Sequence, residues 1–247
     1  MTRTTSGTTA AAPLEDRALQ TAVIDGCRRL TCDGLVVGTA GNVSTRRDAE
    51  HFFISPTGTR YDALRPEDVP LLALDGRWRG ARRPSSEWRI HRDVYRARPE
   101  VGAVVHTHSR EATALACTGR GIPAFHYMVA AAGGADVRCA PYRPFGTQAL
   151  SDVALAALAD RRACLLANHG VLCVGVDLDA ALGLAAEIED LAGKYRIALA
   201  LGGVGILDAA QMRDVLDRFA SYGRQDATDP DLICTEDPRD RPWEESR

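Results

Sequence analysis

Apolar side chains recur at helical spacing in several parts of the chain. From Leu14 to about Gly34 they return every three or four residues, which predicts a helix that the glycine ends. The clearest helix is predicted over SSEWRIHRDVYRARPE, with Ser85 or Ser86 as its cap and Pro99 at its end. Further helices are predicted over EATALACTGR, residues 148–159, about 178–201 and QMRDVLDRFASYG.

Short apolar runs between these helices predict strands. LVVGTAGNVSTR begins like a strand and runs into a glycine-rich turn, HFFISPTG ends in a turn, and LLALDGRW predicts one strand and its turn. VGAVVHTH predicts another strand, and ACLLANHGVLCVGV predicts two strands joined at NHG. The prolines of DVRCAPYRPFG indicate an edge strand and a loop. This irregular mixture of helices and strands favours a layered α/β sheet protein.

The composition fits one globular domain with a sizeable core, since 45% of the 247 residues are hydrophobic and 26% are charged. A net charge of -3 argues against nucleic acid or an anionic membrane as the main partner. No apolar run approaches the roughly 20 residues of a membrane span, and MTRTTSGTTAAAP lacks the apolar core of a secretory signal. We therefore expect a cytoplasmic protein whose seven cysteines are reduced.

Two of the six histidines stand one residue apart in VVHTHS. Residues i and i+2 of a strand project from the same face, so His106 and His108 can chelate one metal ion. Imidazole suits zinc and other transition metals, and a catalytic zinc typically takes three protein ligands. His169, in the turn between two apolar strands, is the candidate third ligand. The alternatives are hydrogen-bonded structural histidines at 106 and 108 and a simple turn residue at 169.

Glu87 lies in the first turn of the helix that is predicted to begin with SSEW. A carboxylate there is either stabilised by the helix dipole alone or serves a metal site as a general base. Ser85 and Ser86 offer hydroxyls and free backbone N–H groups to an anion at the same helix start. The loops GTAGN and SPTG add small-residue donors, although each alone is also an ordinary turn. Together the three loops suggest a phosphate cradle made of neutral donors.

Six segments carry a resemblance to a known family. They are GTAGNVSTR, ISPTGTRYDALRPED, PSSEWRIHRDVYRARPEVGAVVHTHS, IPAFHYM, CAPYRPFGT and ANHGVLCVG, in this order. The chain resembles the class II aldolase/adducin family over roughly residues 14–223. The resemblance implies a three-layer α/β/α domain with a central, largely antiparallel sheet. It leaves a flexible N-terminal tail over 1–13 and an acidic tail over 224–247 that is flexible or forms an active-site flap.

The resemblance also implies a metal site and an assembly. One zinc ion per subunit is expected on His106, His108 and His169, and other divalent metals are compatible with these ligands. Glu87 matches a glutamate that shuttles protons and ligates the metal when no substrate is bound. The family forms homotetramers with active sites at subunit interfaces. Tyr127 matches a tyrosine that a neighbouring subunit supplies to protonate the aldehyde oxygen.

The remaining assignments concern the substrate. The segments that bind its phosphate contain Thr39, Gly41, Asn42, Ser55, Gly58, Ser85 and Ser86. The resemblance places Phe145 and Tyr222 at the aldehyde pocket. His126, beside Tyr127, is expected to be structural.

The implied activity is reversible cleavage of a ketose 1-phosphate, of the L-fuculose 1-phosphate type. The products are dihydroxyacetone phosphate and an aldehyde such as lactaldehyde, formed through a metal-stabilised enediolate. Alternatives are an aldolase for 5-deoxypentulose 1-phosphates, a ketopentose-phosphate 4-epimerase and a methylthioribulose-1-phosphate dehydratase. IPAFHYM favours the aldolase over the epimerase, which carries an aspartate in that segment. An adducin-like binding module is disfavoured because the three histidines and Glu87 are all present.

Overall fold

The computed structural model describes residues 14–221. Within them the helices are α1 (Leu14–Cys32), α2 (Trp88–Ala97), α3 (Arg110–Ala116), α4 (Gln148–Ala157), α5 (Leu178–Ala200) and α6 (Ala209–Ser221). The strands are β1 (Asn42–Arg46), β2 (His51–Ile54), β3 (Leu71–Ala73), β4 (Trp78–Arg79), β5 (Ala103–Thr107), β6 (Arg138–Ala140), β7 (Ala163–Leu166) and β8 (Gly170–Gly175). Short 3₁₀ helices cover Tyr61–Ala63, Pro66–Asp68 and Tyr127–Ala132. The tails and Tyr222 lie outside the described residues, so the domain limits stay a prediction.

All eight strands form one sheet in the order β4-β3-β2-β1-β5-β8-β7-β6. Every neighbouring pair is antiparallel except β6 and β7, which are parallel. The proline-flanked segment predicted at an edge is β6, the last strand of this order. The largely antiparallel sheet expected from the sequence is therefore confirmed.

The two faces of the sheet carry separate apolar cores. On β5, Ala103 and Val105 pack into the core that α1, α3 and α5 cover, while Val104 packs into the core under α2 and α4. The alternation follows from the two-residue period of a strand. Helices cover both faces of the sheet, which gives the predicted three-layer α/β/α arrangement. The alternation along β5 puts His106 on the same face as Val104, toward α2.

The structure corrects the prediction for LVVGTAGNVSTR. Gly34 adopts a left-handed φ of 69° at the end of α1, and Leu35 N–H bonds back to the Leu30 carbonyl at 2.9 Å. Leu35 therefore closes the helix in the glycine-centred C-cap motif instead of starting a strand. The strand begins only at Asn42, where β5 provides a pairing partner.

Two expectations from composition can be compared with the described residues. No helix within 14–221 is long and apolar enough to cross a membrane. The six cysteines in this part of the chain are all unpaired; Cys27, Cys164 and Cys173 are buried, whereas Cys32 and Cys117 are exposed. Burial raises the pKa of Cys27 to about 12, so that thiol stays protonated at neutral pH.

Candidate metal centre and substrate cleft

His106 and His108 meet at the end of β5. His106 lies opposite Leu172 of β8, and His108 follows the last residue of the strand. Their Nε2 atoms are 3.0 Å apart, as the i, i+2 spacing predicts. The Nδ1–H of His106 donates to the Val171 carbonyl at 2.9 Å. That bond fixes the ring and turns its Nε2 toward the cluster, where the neutral ring offers a lone pair.

His169 joins the cluster from the turn between β7 and β8. Asn168 adopts a left-handed φ of 56°, which asparagine tolerates better than most residues. This turn places the His169 ring 4.8 Å from that of His106 and 5.0 Å from that of His108, centre to centre. The structure therefore brings the three predicted ligands together.

Glu87 completes the cluster from the start of α2. The sequence predicts it within the first turn, but the helix begins at Trp88 and Glu87 is its N-cap residue. The predicted cap at Ser85 or Ser86 is wrong: the N-cap makes no side-chain capping hydrogen bond, and the Ser85 hydroxyl accepts from the backbone N–H of Glu87 itself at 3.3 Å. The Glu87 side chain points inward, with Oε2 3.2 Å from His106 Nε2 and Oε1 3.2 Å from His169 Nε2.

The donor set fits a divalent transition metal. One carboxylate oxygen and three imidazole nitrogens lie within 4.8 Å of one another. Glu87 Oε1 is buried and has no hydrogen-bond partner among the described residues, a costly arrangement that a cation would relieve. One carboxylate and three imidazoles are donors that zinc accepts in proteins.

The protonation states of Glu87 and His108 agree with this fit. Burial alone would raise the pKa of Glu87, but its close contacts with His106 and His169 outweigh it and hold that pKa well below its usual range. Burial, together with the charge of His106, lowers the pKa of His108 to about 4. Glu87 and His108 therefore have the forms that bind metals. Burial alone would lower the pKa of His106, but the charge of Glu87 and the hydrogen bonds to Glu87 and Val171 outweigh it and raise that pKa, so metal binding would displace a proton from this ring.

A cleft of about 320 Å³ opens beside the cluster, and Glu87, His108 and His169 line its wall. Six of the seven residues predicted for the phosphate also line it, namely Thr39, Gly41, Asn42, Gly58, Ser85 and Ser86. Phe145, predicted at the aldehyde pocket, lines the same cleft. Ser55 differs, because it is buried and its hydroxyl accepts from the Val43 N–H at 3.1 Å. Its hydroxyl holds the loop from inside the core.

Six residues of the cleft wall were not predicted as site residues: Ala40, Pro56, Thr57, Tyr142, Arg143 and Asn168. All of them lie within the segments that carry the resemblance. Tyr127 does not line the cleft of its own chain, and its side chain is 51% exposed. His126 accepts from the Met128 N–H at 3.2 Å, which agrees with a structural role.

Gly170→Ala is expected to disrupt the metal centre. A Cβ at this position would lie 2.3 Å from the Thr107 carbonyl oxygen and 2.9 Å from Cδ2 of His108, so β8 must move away from β5. We expect the free energy of unfolding to fall by about 1–3 kcal/mol and most metal binding to be lost, as measured by denaturant unfolding and metal analysis. Gly183→Ala on α5 is the control, since no atom lies within 4 Å of its added Cβ. Parent-like metal binding in Gly170→Ala would contradict the prediction.

Taken together, the three-layer fold and the carboxylate–imidazole cluster beside a cleft are typical of a metal-dependent enzyme. Residues 21–195 match the family described as Class II Aldolase and Adducin N-terminal domain. The chain belongs to this class II aldolase/adducin family, and it is a class II, metal-dependent aldolase, a carbon–carbon lyase.

Relatives of known name support this assignment. The chain is 50% identical over 206 residues to a 5-methylthioribulose-1-phosphate/5-deoxyribulose-1-phosphate aldolase of Rhodospirillum rubrum, covering 83% of this chain and 93% of the relative. It is 42% identical over 211 residues to an L-fuculose phosphate aldolase of Escherichia coli K12, covering 85% and 98%. A solved structure of L-fuculose 1-phosphate aldolase matches with a TM-score of 0.80 at 35% identity, covering 82% of this chain and 96% of that one.

Proposed function

We propose that the chain is a zinc-dependent aldolase that reversibly cleaves a ketose 1-phosphate to dihydroxyacetone phosphate and an aldehyde. The observation that carries the proposal is the shared cleft, in which Glu87, His108 and His169 face the same space as the loops of neutral donors. A ketose 1-phosphate needs these two features close together, because its phosphate is only one carbon from the carbonyl.

The phosphate half of the substrate is expected at the start of α2. Ser86 is exposed there, and the Ser85 hydroxyl accepts one hydrogen bond and keeps its own hydrogen for a ligand. Thr39 and Gly58 belong to the two loops GTAGN and SPTG and line the same cleft. Hydroxyls and backbone N–H groups at a helix start bind phosphate without a lysine. Binding the phosphate this way orients the reacting carbons toward the cluster.

The reaction breaks the bond between C3 and C4 of the ketose. The C4 hydroxyl loses its proton as it becomes the aldehyde, and C3 gains a proton to give dihydroxyacetone phosphate. When bound, the metal supplies Lewis-acid stabilisation of the negative charge that cleavage leaves on the phosphorylated half. Glu87, held ionised at the cluster, accepts and returns the proton exchanged at C3.

Tyr127 of the partner subunit is proposed to exchange the proton of the C4 oxygen. Its side chain is half-exposed and lies away from the cleft of its own chain, as expected for a group that serves another copy. We accordingly propose a homotetramer with active sites at subunit interfaces. Light scattering of the purified protein tests it, and a fully active monomer would contradict it.

The aldehyde end favours a 5-deoxypentulose 1-phosphate. Phe145 and Tyr142 are both exposed where they line the cleft, and they offer apolar surface to a methyl or methylthio terminus. The relative named for 5-methylthioribulose 1-phosphate and 5-deoxyribulose 1-phosphate shares 50% of aligned residues, against 42% for the one named for L-fuculose phosphate. L-fuculose 1-phosphate, which releases lactaldehyde, is the second candidate because the fold matches that aldolase closely.

A cleavage assay on zinc-loaded protein tests the proposal. The assay offers 5-deoxyribulose 1-phosphate, 5-methylthioribulose 1-phosphate and L-fuculose 1-phosphate, and it detects dihydroxyacetone phosphate with and without a chelator. We expect chelator-sensitive release, with the highest kcat/KM for one of the 5-deoxypentulose substrates. Release that is greatest with L-fuculose 1-phosphate would select the second candidate. No release from any substrate, despite bound zinc, would favour the epimerase or dehydratase branch.

Tyr61→Phe is expected to weaken substrate binding. The Tyr61 hydroxyl donates to the Gly41 carbonyl at 2.5 Å and accepts from the Gly41 N–H at 3.3 Å, so it pins the loop predicted for phosphate. Its loss leaves two buried backbone groups unpaired, at a cost of about 1–3 kcal/mol. We expect KM for the ketose 1-phosphate to rise by roughly fivefold or more with a smaller change in kcat. An unchanged KM in steady-state kinetics would contradict this role for Tyr61.

A further inference from the structure

A line of buried polar side chains leads through the α2–β1 contact to Glu87. Glu87, His91 and Tyr95 are four residues apart, so they share one face of the helix and its N-cap. Asn42 and Ser44 are two residues apart on β1 and share one face of the strand. The two faces pack together, and their side chains alternate between helix and strand.

The side chains form an unbroken hydrogen-bond chain. Asn42 Nδ2 donates to Glu87 Oε2 at 3.0 Å, and His91 Nε2 lies 2.5 Å from Asn42 Oδ1. Ser44 Oγ lies 2.7 Å from His91 Nδ1 and 2.8 Å from the Tyr95 hydroxyl. None of these five residues is more than 6% exposed. Each polar group in the chain therefore depends on its neighbour rather than on bulk solvent.

The chemistry of the groups assigns a direction to the chain. An ionised carboxylate only accepts, so the amide nitrogen of Asn42 faces Glu87 and its Oδ1 faces His91. His91 must then carry its hydrogen on Nε2. Burial lowers the pKa of His91 to about 3, so the ring is neutral and its Nδ1 accepts from Ser44. Ser44 accepts in turn from Tyr95, and every donor points toward Glu87.

We propose that His91 is a positioning residue for Glu87. Through its Nε2–H it holds the Asn42 amide in the one orientation that donates to Glu87 Oε2. Glu87 Oε1, which has no hydrogen-bond partner among the described residues, is left to face His169 and the metal position. Ser44 and Tyr95 hold the His91 ring in place. The proposal rests on the proton-transfer role proposed for Glu87.

Asn42 has two candidate roles, one in phosphate binding and one in orienting Glu87. The resemblance assigns Asn42 to the phosphate, yet in the structure its side-chain amide is engaged at both ends by Glu87 and His91. If His91 loses its donor, the amide can rotate and turn its oxygen toward the carboxylate, which repels it. The position of Glu87 then changes while the other phosphate donors remain. The expected defect is therefore in kcat rather than in KM.

Paired substitutions at His91 test the proposal. His91→Leu fills the space without a donor, whereas His91→Gln can place an amide N–H near the position of Nε2. We expect His91→Leu to lower kcat by about 10–100-fold, the usual effect of losing a partner of a metal-site residue. KM should change by less than about twofold, and His91→Gln should recover most of the loss. Equal losses in both variants, or a defect mainly in KM, would overturn the proposal.

Ser44→Ala and Ser151→Ala form a matched pair of controls. Both serines are buried, but the Ser151 hydroxyl bonds to Asp93 at 2.7 Å and has no part in the chain. Ser44→Ala removes the donor to His91 and should lower kcat by several-fold, less than His91→Leu does. Ser151→Ala should keep the parent kcat. The same loss in both serine variants would indicate a general packing effect and would overturn the specific role.

A measurement on the metal-free parent protein needs no activity. Nitrogen-15 NMR of the imidazoles reports which nitrogen of His91 carries the proton. We expect a neutral Nε2–H ring throughout the neutral pH range. A Nδ1–H tautomer or a charged ring in the folded protein would overturn the chain. If the parent enzyme releases no dihydroxyacetone phosphate, the proposed function fails, and the tautomer still decides the hydrogen-bond chain separately.

Discussion

Replacing His106 by alanine is expected to abolish stoichiometric metal binding and to lower cleavage activity by more than about 100-fold. Mutation of a residue that only contacts a metal ligand typically costs up to about 100-fold, and loss of the ligand itself should cost more. His106 is fully buried between Glu87 and Val171 and supplies one of the three imidazoles. With two imidazoles left, the cluster has fewer protein ligands than a catalytic zinc typically takes. Metal analysis of the dialysed protein and a cleavage assay measure the two effects.

This loss of metal binding and activity must be distinguished from a loss of folding. Truncation of the buried ring leaves a cavity and removes the hydrogen bond to the Val171 carbonyl. The free energy of unfolding of His106→Ala is therefore expected to be about 2–4 kcal/mol lower than that of the parent. His108 follows the end of β5 and is only half-buried, so His108→Ala should lose metal at a smaller cost in stability. His51→Ala is the control, because His51 lies on β2 and contacts Asp48. Stoichiometric metal in both His106→Ala and His108→Ala would refute the site.

The metal cluster was largely predictable because each of its parts has a local rule. The alternation of a strand puts His106 and His108 on one face whatever the rest of the fold does. A tight turn between two apolar runs places His169 at the end of a hairpin. That His169 meets His106 depends on the pairing of β5 with β8, which joins residues far apart in sequence. Periodicity carries no information about such pairing, and the resemblance to a family supplied it.

The residues that sequence reasoning missed depend on contacts between distant elements. The spacing of Glu87, His91 and Tyr95 is visible in the sequence, but it also fits an ordinary buried helix face. Only the packing of α2 on β1 shows that Asn42 and Ser44 lie between them. The direction of a side chain in a turn is equally hidden, because the SPTG motif does not tell whether a serine faces the cleft or the core.

The N-terminal boundary of α2 changes the interpretation of Glu87. Glu87 was expected inside the first turn, where a carboxylate gains from the helix dipole whether or not it has another role. At the N-cap its backbone is outside the helix, and its side chain makes no capping hydrogen bond. An acidic side chain that leaves the cap position unused and turns into a buried cluster is better explained by the cluster than by the dipole.

Glu87→Gln is expected to keep the fold and most of the bound metal while losing turnover by about 10²–10⁴-fold, the usual contribution of a positioned acid–base group. The amide has the shape of the carboxylate, and the three imidazoles remain to hold the metal. It cannot accept and return a proton as Glu87 does, so kcat falls while KM changes little. Steady-state kinetics with metal analysis measures both quantities.

The control for this change is Glu67→Gln, which neutralises an exposed carboxylate in the 3₁₀ helix Pro66–Asp68. It should leave kcat at the parent value. If Glu87→Gln turned over at the parent rate with metal bound, Glu87 would not be the proton carrier. If it lost metal and activity together, Glu87 would act mainly as a ligand. A low kcat with full metal, in contrast, assigns the carboxylate to proton transfer, because charge is the main property that the substitution removes.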